Sequence, residues 1–181
     1  GASCMGYEIA GAFGAKLAEP DKEVYALVGD GSFMMLNSEI PTAMQENAKI
    51  TVVVFDNCAF GCINNLQMGN GVGSLATEMR HRNETTGKLD GDYCYTDFGK
   101  IGEGFGMKAF YAKTPEEFRK AVQDAKKESV SCIIDAKVLP KTMAEGYESW
   151  WHIGVASTSK SDEVKAARKR IDDHLAEARM Y

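Results

Sequence analysis

Two short apolar segments, separated by enough chain for one helix, constrain the fold of this sequence more than any other feature. They are residues 24–28 (VYALV) and 50–55 (ITVVVF). Both are rich in β-branched residues and continuous rather than alternating, which is typical of strands buried on both faces of a parallel sheet. The intervening residues predict a helix over 37–47, with Asn37 or Ser38 as its cap. The sequence therefore predicts a βαβ unit.

Polar side chains follow both predicted strands. Asp30 lies in Gly29-Asp30-Gly31 behind the first strand, and Asn57 follows the second. Because the carboxyl ends of parallel strands meet at one edge of a sheet, where open α/β sheets bind ligands, we expect Asp30 and Asn57 to be neighbours. Mg²⁺ prefers oxygen ligands and usually shares its shell with substrate phosphates. The pair predicts a Mg²⁺ ion that holds a diphosphate.

The residues around Asp30 suit a phosphate ligand. Gly29 and Gly31 are expected to let the backbone turn sharply and approach the phosphates closely. The amides that follow, from Ser32 onward, and a helix N-terminus favour an anion. Since one Asp and one Asn form a weak cage, the metal is expected to bind well only together with its phosphate ligand. A Gly-Asp-Gly turn that merely caps a helix is the structural alternative.

These residues resemble the thiamine diphosphate (ThDP) motif of the acetolactate synthase and pyruvate decarboxylase superfamily. The resemblance implies that Asp30, Asn57 and the backbone carbonyl of Ala59 hold Mg²⁺. It also implies that Phe60 and Gly61 lie near the diphosphate. The expected fold is an α/β three-layer α/β/α sandwich with a mostly parallel sheet, acting as the diphosphate-anchoring domain.

The segment over residues 3–12 resembles the stretch that precedes this motif in the superfamily. There, a bulky apolar residue wedges between the two cofactor rings, and Met5 occupies the matching position. The resemblance also implies that the backbone around Ser3 and Cys4 meets the aminopyrimidine ring.

Three further segments, 24–33, 60–68 and 146–151, resemble the trihydroxycyclohexane-1,2-dione hydrolases of bacterial myo-inositol breakdown. This resemblance implies a cyclic 1,2-dione substrate whose ring carbon-carbon bond is cleaved with water, giving 5-deoxyglucuronate. In the superfamily a glutamate from the N-terminal domain of a partner subunit protonates the cofactor, and no position here matches it. We therefore expect a homo-oligomer, and an isolated domain without activity and without a catalytic residue of its own.

Two other functions stay open at the level of sequence. One is a ThDP-dependent carboligase or decarboxylase that acts on a 2-oxo acid. The other is a module without catalysis that binds the cofactor or pairs subunits.

Composition limits the remaining possibilities. With 181 residues, 44% apolar and 26% charged, the sequence fits one domain over 1–155 and a charged helical tail over 156–181. A net charge of −5 without a basic cluster argues against nucleic acid. The apolar N-terminal stretch contains Glu8 and Lys16, which argues against a signal peptide or membrane span. We expect an excised C-terminal domain, because the sequence lacks an initiator Met and begins inside a cofactor motif.

The five cysteines are odd in number and contain no Cys-x-x-Cys pair, which indicates a reducing cytoplasm. Cys58 and Cys62 are expected to be small buried residues rather than zinc ligands. His81 is expected in a solvated basic turn, and His152 in a packed aromatic cluster with Trp150 and Trp151.

The other helices, strands and loops are predicted from hydrophobic periodicity and from capping and helix-breaking residues. Residues 57–92, rich in Gly, Asn and Thr, predict a long loop that covers the cofactor. The remaining predictions are helices over 6–18 and 96–105, strands over 107–112 and 132–136, a helix that begins at Pro115 with Thr114 as cap, and a C-terminal amphipathic helix with Val164, Ile171 and Leu175 on its apolar face.

Overall fold

A computed structural model describes residues 4–142 and 154–178 of the chain. The strands are β1 (Tyr25–Gly29), β2 (Thr51–Asp56), β3 (Lys108–Ala112) and β4 (Cys132–Lys137). The helices are α1 (Tyr7–Ala18), α2 (Asp30–Met35), α3 (Glu39–Gln45), α4 (Gly61–Gly69), α5 (Phe98–Gly104), α6 (Pro115–Lys127) and α7 (Asp162–Glu177).

The four strands form one sheet in the order β1-β2-β4-β3, and every neighbouring pair is parallel. All four carboxyl ends therefore lie at one edge. At that edge Gly29 is paired with Phe55, and Asp56 is paired with Lys137. The residues that follow β1 and β2 consequently leave the sheet side by side.

Helices cover both faces of the sheet. On one face α1, α3 and α5 bury a core that includes Ile9, Ile40 and Phe98. On the other face α6 packs Ala121 and Ala125 against the strands. The predicted three-layer α/β/α sandwich is thus confirmed, with a sheet that is parallel throughout.

The βα junction after β1 differs from the expected turn. The chain passes from β1 directly into α2, which was not predicted, and α3 is shorter than the helix expected over 37–47. Ser38 does not cap α3 through its side chain, because it has helical backbone angles itself. Phe33 explains α2: it is completely buried and meets Phe98 edge to face, with 5.4 Å between ring centroids. Tertiary burial, rather than propensity, makes this segment helical.

Residues 61–69 form helix α4, where the sequence predicted part of a long loop. The prediction was wrong because Gly and Asn have low helix propensity, and contacts outside the helix stabilise it instead. Buried Asn64 donates to the hydroxyls of Ser74 and Thr77 at 2.6 and 3.0 Å. Gln67 Oε1 accepts from the Leu75 amide at 3.1 Å.

The C-terminal helix α7 packs through part of its predicted apolar face. Val164 is buried and Ile171 packs partly against it, but Leu175 is 56% exposed and does not belong to that face. The helix lies against the end of α4, since a Cβ on Gly71 would be 2.7 Å from the Glu163 backbone. Within the described ranges, no helix combines the length and apolar character that crossing a bilayer requires.

Candidate functional site

Asp30 lies where β1 ends and α2 begins, and it is only 1% exposed. Its carboxylate accepts two backbone hydrogen bonds. Oδ1 accepts from the Gly31 amide at 2.7 Å, and Oδ2 accepts from the Ala59 amide at 3.1 Å. The second bond places the Asp30 carboxylate against the turn that follows β2.

The turn after β2 has an uncommon backbone conformation. Cys58 has a φ of 54°, in the left-handed region that non-glycine residues seldom occupy. The Cys58 amide donates to Asp56 Oδ1 at 3.0 Å, and the Cys58 carbonyl accepts from the Met79 amide at 2.7 Å. Such a conformation persists when surrounding contacts over-determine it, as they do here.

Ala59 forms an isolated antiparallel bridge with Glu78. The bonds of this bridge come from the flanking residues, as the Phe60 amide donates to the Thr77 carbonyl at 2.8 Å and Met79 to Cys58. In an antiparallel pair of this type, the amide and carbonyl of the central residue point away from the partner strand. The Ala59 carbonyl therefore lies on the same side as its amide, which is the side of Asp30.

The amide of Asn57 lies over the first residue of α4. A Cβ on Gly61 would be 2.6 Å from Asn57 Nδ2, so glycine at that position lets the Asn57 side chain keep its place. Asn57 Oδ1 is buried, and no donor among the described residues reaches it. Burying an acceptor without a partner is unfavourable by about 1–3 kcal/mol, which makes this oxygen a candidate ligand-binding atom.

Gly29 and Gly31 act differently from what the sequence predicted. Neither has a positive φ, so neither is needed for a sharp turn. Gly31 is required by close packing, because a Cβ there would be 2.6 Å from the Phe60 ring. Gly29 faces open space, with no atom within 4 Å of a Cβ. A ligand can approach the backbone at Gly29.

Four charged side chains cluster at the carboxyl edge, and three of them were not singled out from the sequence. Lys137 Nζ is 2.6 Å from Asp56 Oδ2 and 2.9 Å from Asp135 Oδ1. Burial, together with a hydrogen bond shared with Asp56, raises the pKa of Asp30 to about 7. Burial also acts to raise the pKa of Asp56, but the Lys137 ammonium overrides it and the net pKa is lowered. The ammonium of Lys137 therefore favours the charged form of Asp56, while burial disfavours the charged form of Asp30.

A sequence signal for this cluster exists in β4. Asp135 and Lys137 are two residues apart in an otherwise apolar strand, which places them on the same face of the sheet. Charged residues inside a buried strand are rarely there without a partner. That spacing indicates an ion pair at the carboxyl edge.

Three other predicted cofactor residues, Cys4, Met5 and Ser32, are among the described residues. Cys4 and Met5 are exposed and precede α1, and Gly6, with φ 91°, lies against Leu36, the residue that follows α2. Ser32 is 8% exposed in the first turn of α2. Ser3 lies outside the described residues, as do Trp150, Trp151 and His152.

The donor set predicted from the sequence contains one carboxylate (Asp30), one amide oxygen (Asn57) and one backbone carbonyl (Ala59). All three are oxygens, as Mg²⁺ prefers, and they leave coordination positions for a phosphate ligand. Among the described residues, no group of three or more His, Cys, Asp or Glu side chains is arranged to hold a metal. Helix α4 begins at the same edge without a side-chain cap, so its first amides are available to an anion.

Comparison with known proteins identifies relatives of this chain. Residues 1–136 match the family model of the thiamine pyrophosphate enzymes, C-terminal TPP binding domain. The whole chain is 59% identical to the 3D-(3,5/4)-trihydroxycyclohexane-1,2-dione hydrolase of Geobacillus thermodenitrificans (strain NG80-2) and 58% identical to the protein of the same name in Clostridium botulinum (strain Alaska E43 / Type E3). It spans 28% of the length of each of these relatives.

A solved structure shares the fold. The thiamine diphosphate-dependent 4-hydroxybenzoylformate decarboxylase of Rhodococcus jostii RHA1 aligns with a TM-score of 0.59. The alignment covers 76% of this chain and 24% of that protein, at 24% sequence identity. At this identity the likeness concerns the fold alone.

Proposed function

The chain belongs to the thiamine pyrophosphate enzymes, as their C-terminal TPP binding domain, and from that premise we propose that Asp30, Asn57 and the Ala59 carbonyl hold a Mg²⁺ ion that anchors the diphosphate of ThDP. The observations that carry the proposal are the buried, unpartnered Oδ1 of Asn57 and, two residues further along the same turn, the hydrogen bond from the Ala59 amide to Asp30. A divalent cation would satisfy this oxygen, and its charge would compensate the buried Asp30 carboxylate.

The remaining residues of the edge suit a diphosphate. The open space at Gly29 admits a phosphate to the backbone, and the uncapped amides from Gly61 onward offer hydrogen-bond donors to it. We propose that Ser32 and Phe60 complete this cradle from the two helices. Cys4 and Met5 remain proposed contacts of the cofactor rings, with Met5 as the wedge.

For the full-length protein we propose hydrolysis of 3D-(3,5/4)-trihydroxycyclohexane-1,2-dione in inositol breakdown, because the 59% identical relative carries that name. ThDP, when bound, supplies carbanion chemistry for breaking the ring carbon-carbon bond. The residues described here bind and orient it. The activating glutamate is proposed to come from the N-terminal domain of a partner subunit, so the isolated domain has no activity. Five free cysteines suit the proposed cytoplasmic location.

Calorimetric titration and thermal unfolding of the full-length protein test the metal site. A ligand present at 100 times its Kd raises the free energy of unfolding by about 2.7 kcal/mol. We expect ThDP with Mg²⁺ to raise the melting temperature, and Asp30→Asn or Asn57→Ala to abolish that rise. Asp97→Asn is the matched control, because Asn retains the cap that Asp97 provides to α5.

A rise of wild-type size in Asp30→Asn contradicts the metal assignment. A separate activity assay of the full-length protein distinguishes the enzyme classes. A hydrolase turns over the cyclic dione, whereas a carboligase or decarboxylase turns over pyruvate. A module without catalysis binds ThDP and turns over neither substrate.

A further inference from the structure

Lys137 is held at the carboxyl edge by three hydrogen bonds. Its ammonium donates to Asp56 Oδ2 at 2.6 Å, to the Thr96 carbonyl at 2.8 Å and to Asp135 Oδ2 at 3.0 Å. A lysine ammonium has three donors, and all three are used. Its position is therefore fixed from three directions.

Asp56 connects Lys137 to the turn that contains Asn57 and Ala59. Asp56 and Lys137 are register partners on β2 and β4, and the Asp56 carboxylate is 2% exposed. One carboxylate oxygen accepts from Lys137 and the other accepts from the Cys58 amide at 3.0 Å. The Cys58 amide lies between the two residues whose oxygens are proposed to face the metal.

The turn needs this support because its conformation is unfavourable in isolation. A non-glycine residue is less stable in the left-handed region than in the right-handed region, and Cys58 has a φ of 54°. If Asp56 moved, the Cys58 amide would lose its acceptor and the turn could relax toward a common conformation. The Asn57 and Ala59 oxygens, which are the proposed metal donors of this turn, would then be displaced.

We infer that Lys137 is a positioning residue for the metal-binding turn, acting through Asp56 on the Cys58 amide. The inference rests on the proposed function, because it concerns the same metal. Three buried carboxylates, Asp30, Asp56 and Asp135, lie in this cluster with one ammonium. Removing that ammonium leaves Asp56 and Asp135 buried without a counter-charge, which drives Asp56 away from its position.

The test is a Mg²⁺ titration of the ThDP-dependent rise in melting temperature, performed on the full-length protein with ThDP in excess. We expect Lys137→Met to raise the Mg²⁺ concentration at half effect at least tenfold, while excess Mg²⁺ restores the full rise. Lys137→Arg, which keeps the charge, is expected within threefold of wild type. Should Lys137→Met not fold, Lys137→Gln carries the same expectation.

Lys49→Met is the matched control. Lys49 precedes the opposite end of β2, and its ammonium lies 3.1 Å from Glu23 Oε1 and 3.1 Å from the Lys126 carbonyl. The same substitution therefore removes a lysine ion pair, with a partly exposed Glu23, far from the metal-binding turn. We expect a lower melting temperature in this variant and an unchanged Mg²⁺ requirement.

A double-mutant comparison isolates the route through Asp56. Asn at position 56 still offers an oxygen to the Cys58 amide but needs no counter-charge, so Lys137→Met in the Asp56→Asn background is expected to change the Mg²⁺ requirement less than threefold. An equal factor in both backgrounds, or an unchanged requirement in Lys137→Met, overturns the inference alone. A wild-type protein without any Mg²⁺-dependent rise overturns the proposed function and this inference together.

Discussion

The Ala59 amide donates to the Asp30 carboxylate at 3.1 Å, so the ends of β1 and β2 are joined by a side chain as well as by the sheet. Asp30 directly follows β1 and Ala59 lies in the turn after β2, and Asp30 is almost completely buried. The contact holds two of the three proposed metal donors next to each other within the chain itself. Preorganised donors lower the entropy that binding has to overcome.

A substitution at Gly29 is expected to weaken ThDP binding with little effect on the stability of the fold. Because its backbone is extended with φ −75° and a Cβ would meet no atom within 4 Å, Gly29→Ala is expected to change the free energy of unfolding by less than about 1 kcal/mol. The new methyl group would occupy the space proposed for the diphosphate. We expect ThDP affinity, measured by calorimetry in the full-length protein, to fall at least tenfold. Undiminished affinity would place the diphosphate elsewhere.

Gly31→Ala is expected to show the opposite behaviour. A Cβ would collide with the Phe60 ring, and overpacking of this kind destabilises by about 1–3 kcal/mol. Urea unfolding should detect the loss, and the second substitution Phe60→Leu should recover part of it by vacating the space. A Gly31→Ala protein as stable as wild type would show that Phe60 moves freely.

Gly71 controls the packing of α7. Gly71 and Gly73 both have positive φ, but only Gly71 is in contact with the Glu163 backbone. Gly73→Ala should therefore be destabilised only by its backbone strain, about 1–2 kcal/mol. Gly71→Ala should in addition release α7, which limited proteolysis would detect as faster cleavage near residues 154–161. Equal protection of α7 in both variants would contradict this contact.

Glu78 is expected to make stability depend on pH. Burial acts to raise its pKa, but hydrogen bonds from Ser74, Arg80 and Tyr93 lower it to about 2, from an ordinary value of 4.5. A lowered folded-state pKa gives stability that is present above about pH 4.5 and lost as the pH falls toward 2. The loss is on the order of 2 kcal/mol for a partly screened group.

Urea unfolding at pH 7 and pH 3 measures this effect. Between pH 7 and pH 3, the free energy of unfolding of Glu78→Gln should fall by less than that of the wild type. Glu116→Gln, the same substitution at an exposed position, should keep the wild-type dependence. Identical pH dependence in wild type and Glu78→Gln would show that Glu78 does not titrate differently on folding.

The five cysteines should differ in reactivity. Burial raises the pKa of Cys58 to about 12, with the nearby Asp56 charge adding to the effect, and burial raises that of Cys132 to about 11. Since the thiolate is the reactive form, iodoacetamide at pH 8 should label Cys4, Cys62 and Cys94 but spare the two buried thiols until the protein unfolds. Mass spectrometry identifies the labelled positions. Rapid labelling of Cys58 would show that the turn after β2 opens in solution.

The predicted helices and strands are confirmed where the signal is local, as in a run of apolar residues or a helix cap. Both apolar segments became adjacent parallel strands, and the Thr114 capping box, with Glu117, begins α6 as predicted. The sequence also predicted that the residues after β1 and β2 share one edge, because parallel pairing leaves no other arrangement. The sequence did not predict helices α2 and α4. Their helical state depends on the packing of Phe33 against Phe98 and on the hydrogen bond from Asn64 to Ser74.

The sequence by itself determined the fold class, the position of Asp30 and Asn57 at a sheet edge and the kind of ligand that their oxygens suit, since these follow from strand period and donor chemistry. Only the tertiary structure decided that Lys137 neutralises Asp56, that Cys58 adopts a left-handed conformation and that Asn57 lies over Gly61. The first two depend on segments that are distant in sequence, since Lys137 reaches Asp56 and the Met79 amide bonds to Cys58, and the third depends on how the supported turn enters α4. No local pattern encodes such contacts, because the burial that makes them matter exists only in the folded chain.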